Sequence, residues 1–290
     1  MEILSSYSAS TIKLGLAAAG TAAVVVFALR RIAKRKGSGL RVANYEKNMV
    51  YLFNFPSCRT IVSISPFGLK LETWLRMHQI RYTAIRKTYV WSRKGQIPFV
   101  ELNGQEYNAS NLIIAELQKY FGVDDGLSEQ EQGLARGLEM MLENQTVFSY
   151  FYYRYVEAAR EFVQTWEFSG FLLRWVLYRF FPPGFRHRLK HHGIGRNTVP
   201  EIYSMGFEDI RALSRVLGSK KFLFGERMTA ADCYAFGHLA QILYVPVDYP
   251  HKQFMREQTP NLCEYVTRIK ETLWPDWDQL CMDNLLGSNN

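Results

Sequence analysis

The stretch Ile97-Pro98-Phe99-Val100-Glu101-Leu102-Asn103-Gly104, followed by Ser110-Asn111-Leu112-Ile113-Ile114, decides the fold. Proline has no N–H to give to a sheet, so it marks a strand's entry rather than its interior. Asn103-Gly104 tolerates the positive φ of a tight turn and closes the strand into a hairpin. Ser110 then opens an apolar-periodic run to Tyr120, which reads as a helix.

Working upstream, Arg81 to Lys87 reads as another strand. Before it, Ser65-Pro66 is a strong helix start, a capping hydroxyl followed by proline at the first helical position. Leu69, Thr73, Trp74, Leu75 and Met77 give that helix an apolar face to about His78. Met49 to Phe55, MVYLFNF, is a continuous apolar run that suits a buried strand. The order strand, helix, strand, hairpin, helix predicts a small α/β sandwich over residues 48–122.

Downstream of Phe121-Gly122 the character changes. Ser128-Glu129-Gln130-Glu131 has the spacing of a capping box. Helical patterns then run almost to the end, broken once at Pro182-Pro183-Gly184. This predicts an all-helical domain over 123–283 and a disordered tail over 284–290. The aromatic stretch Phe148 to Tyr155, with Phe168, Phe171, Trp175, Tyr178 and Phe180, is read as interdomain core and the wall of a hydrophobic pocket, with a membrane-facing surface as the lesser alternative. Arg154, Arg174 and Arg179 interrupt it, so it does not span a membrane.

Leu14 to Leu29, LGLAAAGTAAVVVFAL, carries no charge, and Arg30-Arg31-Ile32-Ala33-Lys34-Arg35-Lys36 follows at once. Sixteen residues of helix span roughly 24 Å, somewhat short of a hydrocarbon core about 30 Å thick. Ile12 and Ile32, with Lys13, Arg30 and Arg31 reaching outward, close the gap. Residues 12–32 are therefore read as a single membrane anchor, and residues 1–36 as anchor plus basic flank. The basic block after the apolar run keeps the large domain in the cytosol. Such short anchors suit the outer mitochondrial membrane, with the lysosomal membrane as the other expectation. The chain's net charge of +8 thus points to a lipid surface and away from nucleic acid. Residues 37–47, beginning Gly37-Ser38-Gly39, form the linker. Cys58, Cys233, Cys263 and Cys281 contain no CxxC pair and suit reduced thiols.

Several of these segments resemble the glutathione transferase superfamily. They are Ile97 to Gly104 with Ser110, Ser65-Pro66-Phe67-Gly68, and Phe222 to Asp232 containing Thr229-x-x-Asp232. Within it, Ser65-Pro66-Phe67 running into Leu69 to Met77, Lys94 to Pro98, Phe236-Gly237-His238-Leu239 and Pro275-Asp276-Trp277 resemble the failed-axon-connections group. That group includes cadmium-responsive proteins and is related to the metaxins. The resemblance covers about residues 48–278. It implies a thioredoxin-like domain followed by a helical domain, with an internal capping box at Thr229 and Asp232. It also implies a cis Ile97–Pro98 bond, the backbone before Pro98 pairing with the cysteinyl part of glutathione. Ser110 would hold the γ-glutamyl carboxylate, and Ser65 would stand where several classes place a catalytic Ser or Cys.

From the residues alone, each serine could instead be only a helix cap. Two positions depart from the family pattern. Ala109 stands where many transferases have an acidic residue, and Leu52 where others have a catalytic Tyr, with Tyr51 adjacent. The expectation is therefore weak or absent transferase activity, in stress or metal-ion response or axonal development. The alternative is an active transferase or peroxidase on apolar electrophiles. Expected partners are glutathione, lipid, an apolar small molecule or a protein, and a second copy in a homodimer. Cys58 is read as an ordinary thiol. His187 and His191 have i,i+4 spacing, but they sit with His192 in a basic stretch read as solvated, so no metal site is expected.

Overall fold

A computed structural model describes residues 40–87, 90–166 and 170–286. The candidate anchor at 12–32 and Phe168 lie outside the described residues. Among those described, no helix is long and apolar enough to cross a membrane.

The first domain holds β1 (Val50–Asn54), α1 (Pro66–Met77), β2 (Tyr82–Arg86), β3 (Phe99–Leu102), β4 (Gln105–Asn108) and α2 (Ser110–Phe121). The sheet order is β2-β1-β3-β4. β1 runs parallel to β2 and antiparallel to β3, and β3–β4 is the expected hairpin. Val50, Leu52, Phe53 and Asn54 are buried, as a strand covered on both faces requires. Ile97–Pro98 is cis.

The second domain is helical. α3 (Glu129–Met141) starts at the expected Ser128–Glu131 capping box and passes through a π turn at Leu142–Thr146 into α4 (Val147–Tyr152). A second π turn at Tyr153–Glu157 leads to α5 (Ala159–Gln164), and then come α6 (Phe171–His192) and α7 (Val199–Leu217). α8 (Ala230–Tyr244), α9 (Pro250–Gln258), α10 (Pro260–Leu273) and α11 (Trp277–Leu286) complete it.

Four expectations need correction. Pro182 and Pro183 do not break the helix, because α6 runs through both. Proline deletes an N–H and crowds the preceding turn. Here the inner-face residues Leu177, Phe181 and Phe185 pack on the core on either side of the pair and hold the helix together. The second half of the linker is not loose: the amides of Arg41 and Val42 donate to the Glu101 carboxylate at 2.8–3.0 Å. The chain's last helix continues to Leu286, three residues into the expected tail. The aromatic stretch splits: Tyr150 and Phe151 are core, whereas Phe171, Trp175, Tyr178 and Phe180 are exposed.

The two domains share one core, centred on α1 against α8. A Cβ at Gly237 would come within 2.7 Å of the Pro66 carbonyl oxygen and 3.0 Å of the Lys70 nitrogen, so the two backbones meet through a missing side chain. Arg76 binds Asp276 through two bonds of 2.6 and 2.8 Å, and its guanidinium lies 4.0 Å over the Trp274 ring. The indoles of Trp274 and Trp277 donate to Thr73 and the Thr60 carbonyl. The Pro275-Asp276-Trp277 motif is thus a clasp from the end of the helical domain onto α1.

Candidate functional site

Register brings three of the sequence-predicted segments to one end of the sheet. Phe99 pairs with Phe53 on one side and Asn108 on the other, their neighbourhood fixed by the stacked Phe53 and Phe99 rings 4.4 Å apart. Pro98 precedes Phe99, and Ser110 follows Asn108 by two residues. Asn54, the last residue of β1, lies at this same end and leads into the loop that reaches Ser65.

Ser65 is buried and caps α1: its Oγ accepts the Gly68 amide at 3.2 Å. The helical domain positions it through the two preceding residues. Gln241 donates to the Ser63 carbonyl at 2.9 Å, and Arg154 to the Ile64 carbonyl at 3.1 Å. Arg154 is fully buried, with no carboxylate partner among the described residues. It is held by the Tyr249 hydroxyl and Gln241, with the rings of Tyr150, Phe151, Phe162 and Tyr249 at 4.9–5.5 Å. Aromatic faces favour a cation at that range.

Ser110 begins α2 differently. The preceding Ala109 sits at φ 65° and ψ 112°, a conformation that L side chains rarely adopt, and no side chain caps the helix. Such outliers persist where the surroundings over-determine them, and they cluster at ligand sites. The Ile113 amide bonds the Ala109 carbonyl and the Leu112 amide bonds the Asn111 side chain. The amides of Ser110 and Asn111, and the backbone of Ile97, bond to none of the described residues. Two side-chain atoms are also left over: buried Asn54 Nδ2 and Asn108 Oδ1 have no partner among the described residues. Open amides at a helix start favour an anion. This donor set fits a carboxylate and a peptide backbone.

A cleft of about 700 Å³ starts beside Ser110, at Asn111 and Leu112, and runs between α2 and α3 over Tyr234. Its lining includes Arg136, Glu139 and Asp125, and none of the aromatic residues from Phe148 to Phe180. The wall of this cleft is mixed polar. Burial raises the carboxyls of Glu139 and Asp125 above their usual range, opposed at Glu139 by Lys70 and Arg136 and at Asp125 chiefly by the Ala230 amide.

The other candidates fall outside this end of the sheet. Tyr51 lies near the start of β1, and its hydroxyl accepts the Glu46 amide at 2.9 Å. Thr229 and Asp232 form the capping box of α8, and Asp232 also accepts from the Leu223 amide and the Tyr265 hydroxyl. Cys58 is buried, and no cysteine is disulfide-bonded. The His187 and His191 rings lie 4.4 Å apart, yet no group of three or more metal-ligating side chains occurs among the described residues.

Sequence reading missed the charge inside the α1–α3 junction. Lys70 is fully buried, pairs with Glu143 on the π turn and lies 3.8 Å over the Tyr234 ring. Burial lowers its pKa, and Glu143 opposes the shift. The pair is 73 residues apart in sequence, so no local pattern announces it. A lysine on the apolar side of α1 is the only hint. Asn54 was missed for the same reason.

Residues 66–160 match the glutathione S-transferase N-terminal domain family, and residues 206–269 the C-terminal domain family. Failed axon connections of Drosophila melanogaster is 36% identical over 257 residues, covering 82% of this chain and 61% of that protein. The chain thus spans about three-fifths of that relative's length. An isoprene-epoxide–glutathione S-transferase of Rhodococcus sp. (strain AD45) is 24% identical, covering 77% of this chain and 98% of that one. Metaxin-2 of Homo sapiens is 22% identical, covering 74% and 85%. Among solved structures, a Ceriporiopsis subvermispora glutathione S-transferase in complex with glutathione superposes with a TM-score of 0.53 at 13% identity, covering 77% of this chain and 97% of that one. Two matching domain families on the two domains, with a relative alike along most of the chain, settle the lineage: the protein belongs to the glutathione transferase superfamily, in its metaxin-related failed-axon-connections group.

Proposed function

We propose that this chain is a membrane-tethered glutathione-binding protein with weak or no transferase activity. The carrying observation is the uncapped start of α2, where strained Ala109 delivers the Ser110 and Asn111 amides unbonded. Ser110 and these amides would hold the γ-glutamyl carboxylate, and the Ile97 backbone the cysteinyl unit. Ser65 still has its hydroxyl hydrogen to give to a thiolate, although its oxygen already accepts the Gly68 amide. A donor to sulfur lowers a thiol pKa. With Ala109 in the preceding position, that residue offers no carboxylate to the ligand's ammonium group, which weakens the expected affinity.

A second reading has its own support in the Rhodococcus relative, whose name assigns it isoprene epoxide and glutathione. Here the bound thiolate would attack an epoxide carbon, the C–O bond would break, and the alkoxide would take a proton from water. An ultraviolet pH titration of bound thiol separates the readings. A functional Ser65 predicts thiolate absorbance below the pH of free glutathione, shifted upward in Ser65→Ala. No shift reduces Ser65 to a cap and removes the catalytic reading.

The tether is residues 12–32, with the large domain in the cytosol, at the outer mitochondrial or lysosomal membrane. It predicts resistance to carbonate extraction and protease access to the C-terminal domain. Release by carbonate, or protection from protease, would contradict it. A homodimer, and a role in axonal development or in stress and metal-ion response, rest on the resemblance.

A further inference from the structure

Of eleven large hydrophobic residues exposed among the described residues, six lie on α6: Phe171, Leu172, Leu173, Trp175, Tyr178 and Phe180. Phe171 and Leu172 are 79% and 72% exposed. The helix is nevertheless well docked by its opposite side. Phe185 stacks on Tyr155 with centroids 4.1 Å apart, Phe181 meets Trp166, and Leu189 is fully buried. The outer face is therefore a surplus of the fold rather than an undocked core face.

Its pattern is amphipathic along the helix as well as around it. Leu172, Trp175, Val176, Arg179 and Phe180 follow the i, i+3, i+4, i+7, i+8 spacing of one face. Two and more turns on, the same side carries Arg186, His187, Lys190 and His191. Between Phe171 and His192 there are five Lys and Arg residues and no Asp or Glu. Contiguous apolar exposure marks an interaction site. Trp, Tyr and Phe beside Arg and Lys are what a bilayer interface selects, the rings at the acyl boundary and the cations at the phosphates.

We propose that the outer face of α6 lies on an anionic bilayer, its N-terminal half inserted among the headgroups and its basic half against lipid phosphates. The proposal rests on the tether reading for the membrane's presence, because residues 12–32 would hold the domain beside a bilayer. A second copy of the chain is the poorer occupant. A two-fold contact through this face would set one all-cationic helix against another.

The test uses the full chain added to phosphatidylcholine vesicles with and without phosphatidylserine. A fluorophore is placed at Phe180→Cys, with Leu134→Cys on α3 as the control, and nitroxide-bearing lipid is the quencher. The parent chain treated with the same reagent corrects for labelling of its own thiols. The account predicts quenching at 180, deeper with phosphatidylserine, and none at 134. Arg186→Gln and Lys190→Gln should each reduce the surface-bound population about fivefold. A chain that floats with the vesicles while position 180 stays unquenched overturns the inference and leaves the tether standing. Reversible, salt-sensitive quenching at 180 without stable flotation upholds the inference and removes the tether. Shielding of position 180 that rises with protein concentration and follows dimer mass overturns it in favour of a second copy.

Discussion

Helices α1 and α2 both begin at a serine, in the same small domain and at the same end of its sheet, yet the fold treats them oppositely. At α1, Ser65 closes the first turn by accepting the Gly68 amide, and Asn54 packs against that turn so closely that a Cβ at Gly68 would stand 1.9 Å from its Oδ1. The helical domain braces the serine from behind through the Ser63 and Ile64 carbonyls. At α2, the residue before Ser110 is an alanine at positive φ, no side chain among the described residues caps the helix, and two amides bond to none of those residues. One start is completed by the protein. The other leaves its first amides without a partner among the described residues. A serine at a helix start is therefore uninformative until the partners of its first-turn amides are counted.

The closed start depends on the buried interface behind it, so acid should have the largest effect. His238 packs on Phe67 at 5.7 Å and bonds the Tyr150 hydroxyl, and burial, with Lys70 and Arg154 nearby, holds its pKa well below the ordinary value. Burial pushes His251 down to about 3. A native-state pKa below the unfolded one means the unfolded chain takes the proton first. Stability is then present above about pH 6.5 and is lost as pH falls toward the native value. Between pH 7 and 5 the buried His251 imidazole should cost about 2 kcal/mol, and His238 adds to the loss in the same direction. Denaturant melts at the two pH values check this, and His238→Gln should show a flatter profile.

Next in size is Gly68→Ala. The added methyl collides with Asn54 and should destabilise the protein by about 1–3 kcal/mol, read from the same melts. A neutral result would mean that α1 is loosely built at its start and would dissolve the contrast. Ser65→Ala should follow, at about 1 kcal/mol for a lost cap. The smallest effect has the opposite sign. Ala109→Gly relieves positive φ and should leave stability unchanged or raise it by up to about 1 kcal/mol. A large loss there would show that the methyl group has a packing role.

Much of the fold was legible because its signals are local. The proline at 98, the Asn103-Gly104 turn, Ser65-Pro66 and the Ser128–Glu131 capping box each act within a turn or two, and all four elements begin where those residues put them. What was illegible depends on distant partners. Glu101 pins residues 41 and 42 from about 60 positions away, so the linker looked free. Lys70 needs Glu143 and Tyr234, Arg76 needs Asp276, and Asn54 needs Gly68 placed against it by the sheet. Pro182-Pro183 carries a helix-breaking signal that packing on its inner face overrides. The exposed aromatics of α6 defeat any reading that sends apolar residues inside, because composition alone cannot say which face of a helix lacks a neighbour. At the site, Ser110 and Pro98 could be named from the sequence, while the strain at Ala109 that distinguishes an open start from a closed one could not.

The central claim is that the open start binds glutathione. Isothermal titration of the full chain in detergent micelles with glutathione, for wild type, Ser65→Ala and Ser110→Ala, tests it most directly. One hydrogen bond to a charged group contributes about 1.5–3 kcal/mol, so Ser110→Ala should bind roughly ten- to a hundredfold more weakly. Ser65→Ala should lose stability and keep nearly all its affinity. Wild type that takes up no glutathione at millimolar concentration, or Ser110→Ala that binds as well as wild type, would contradict the account.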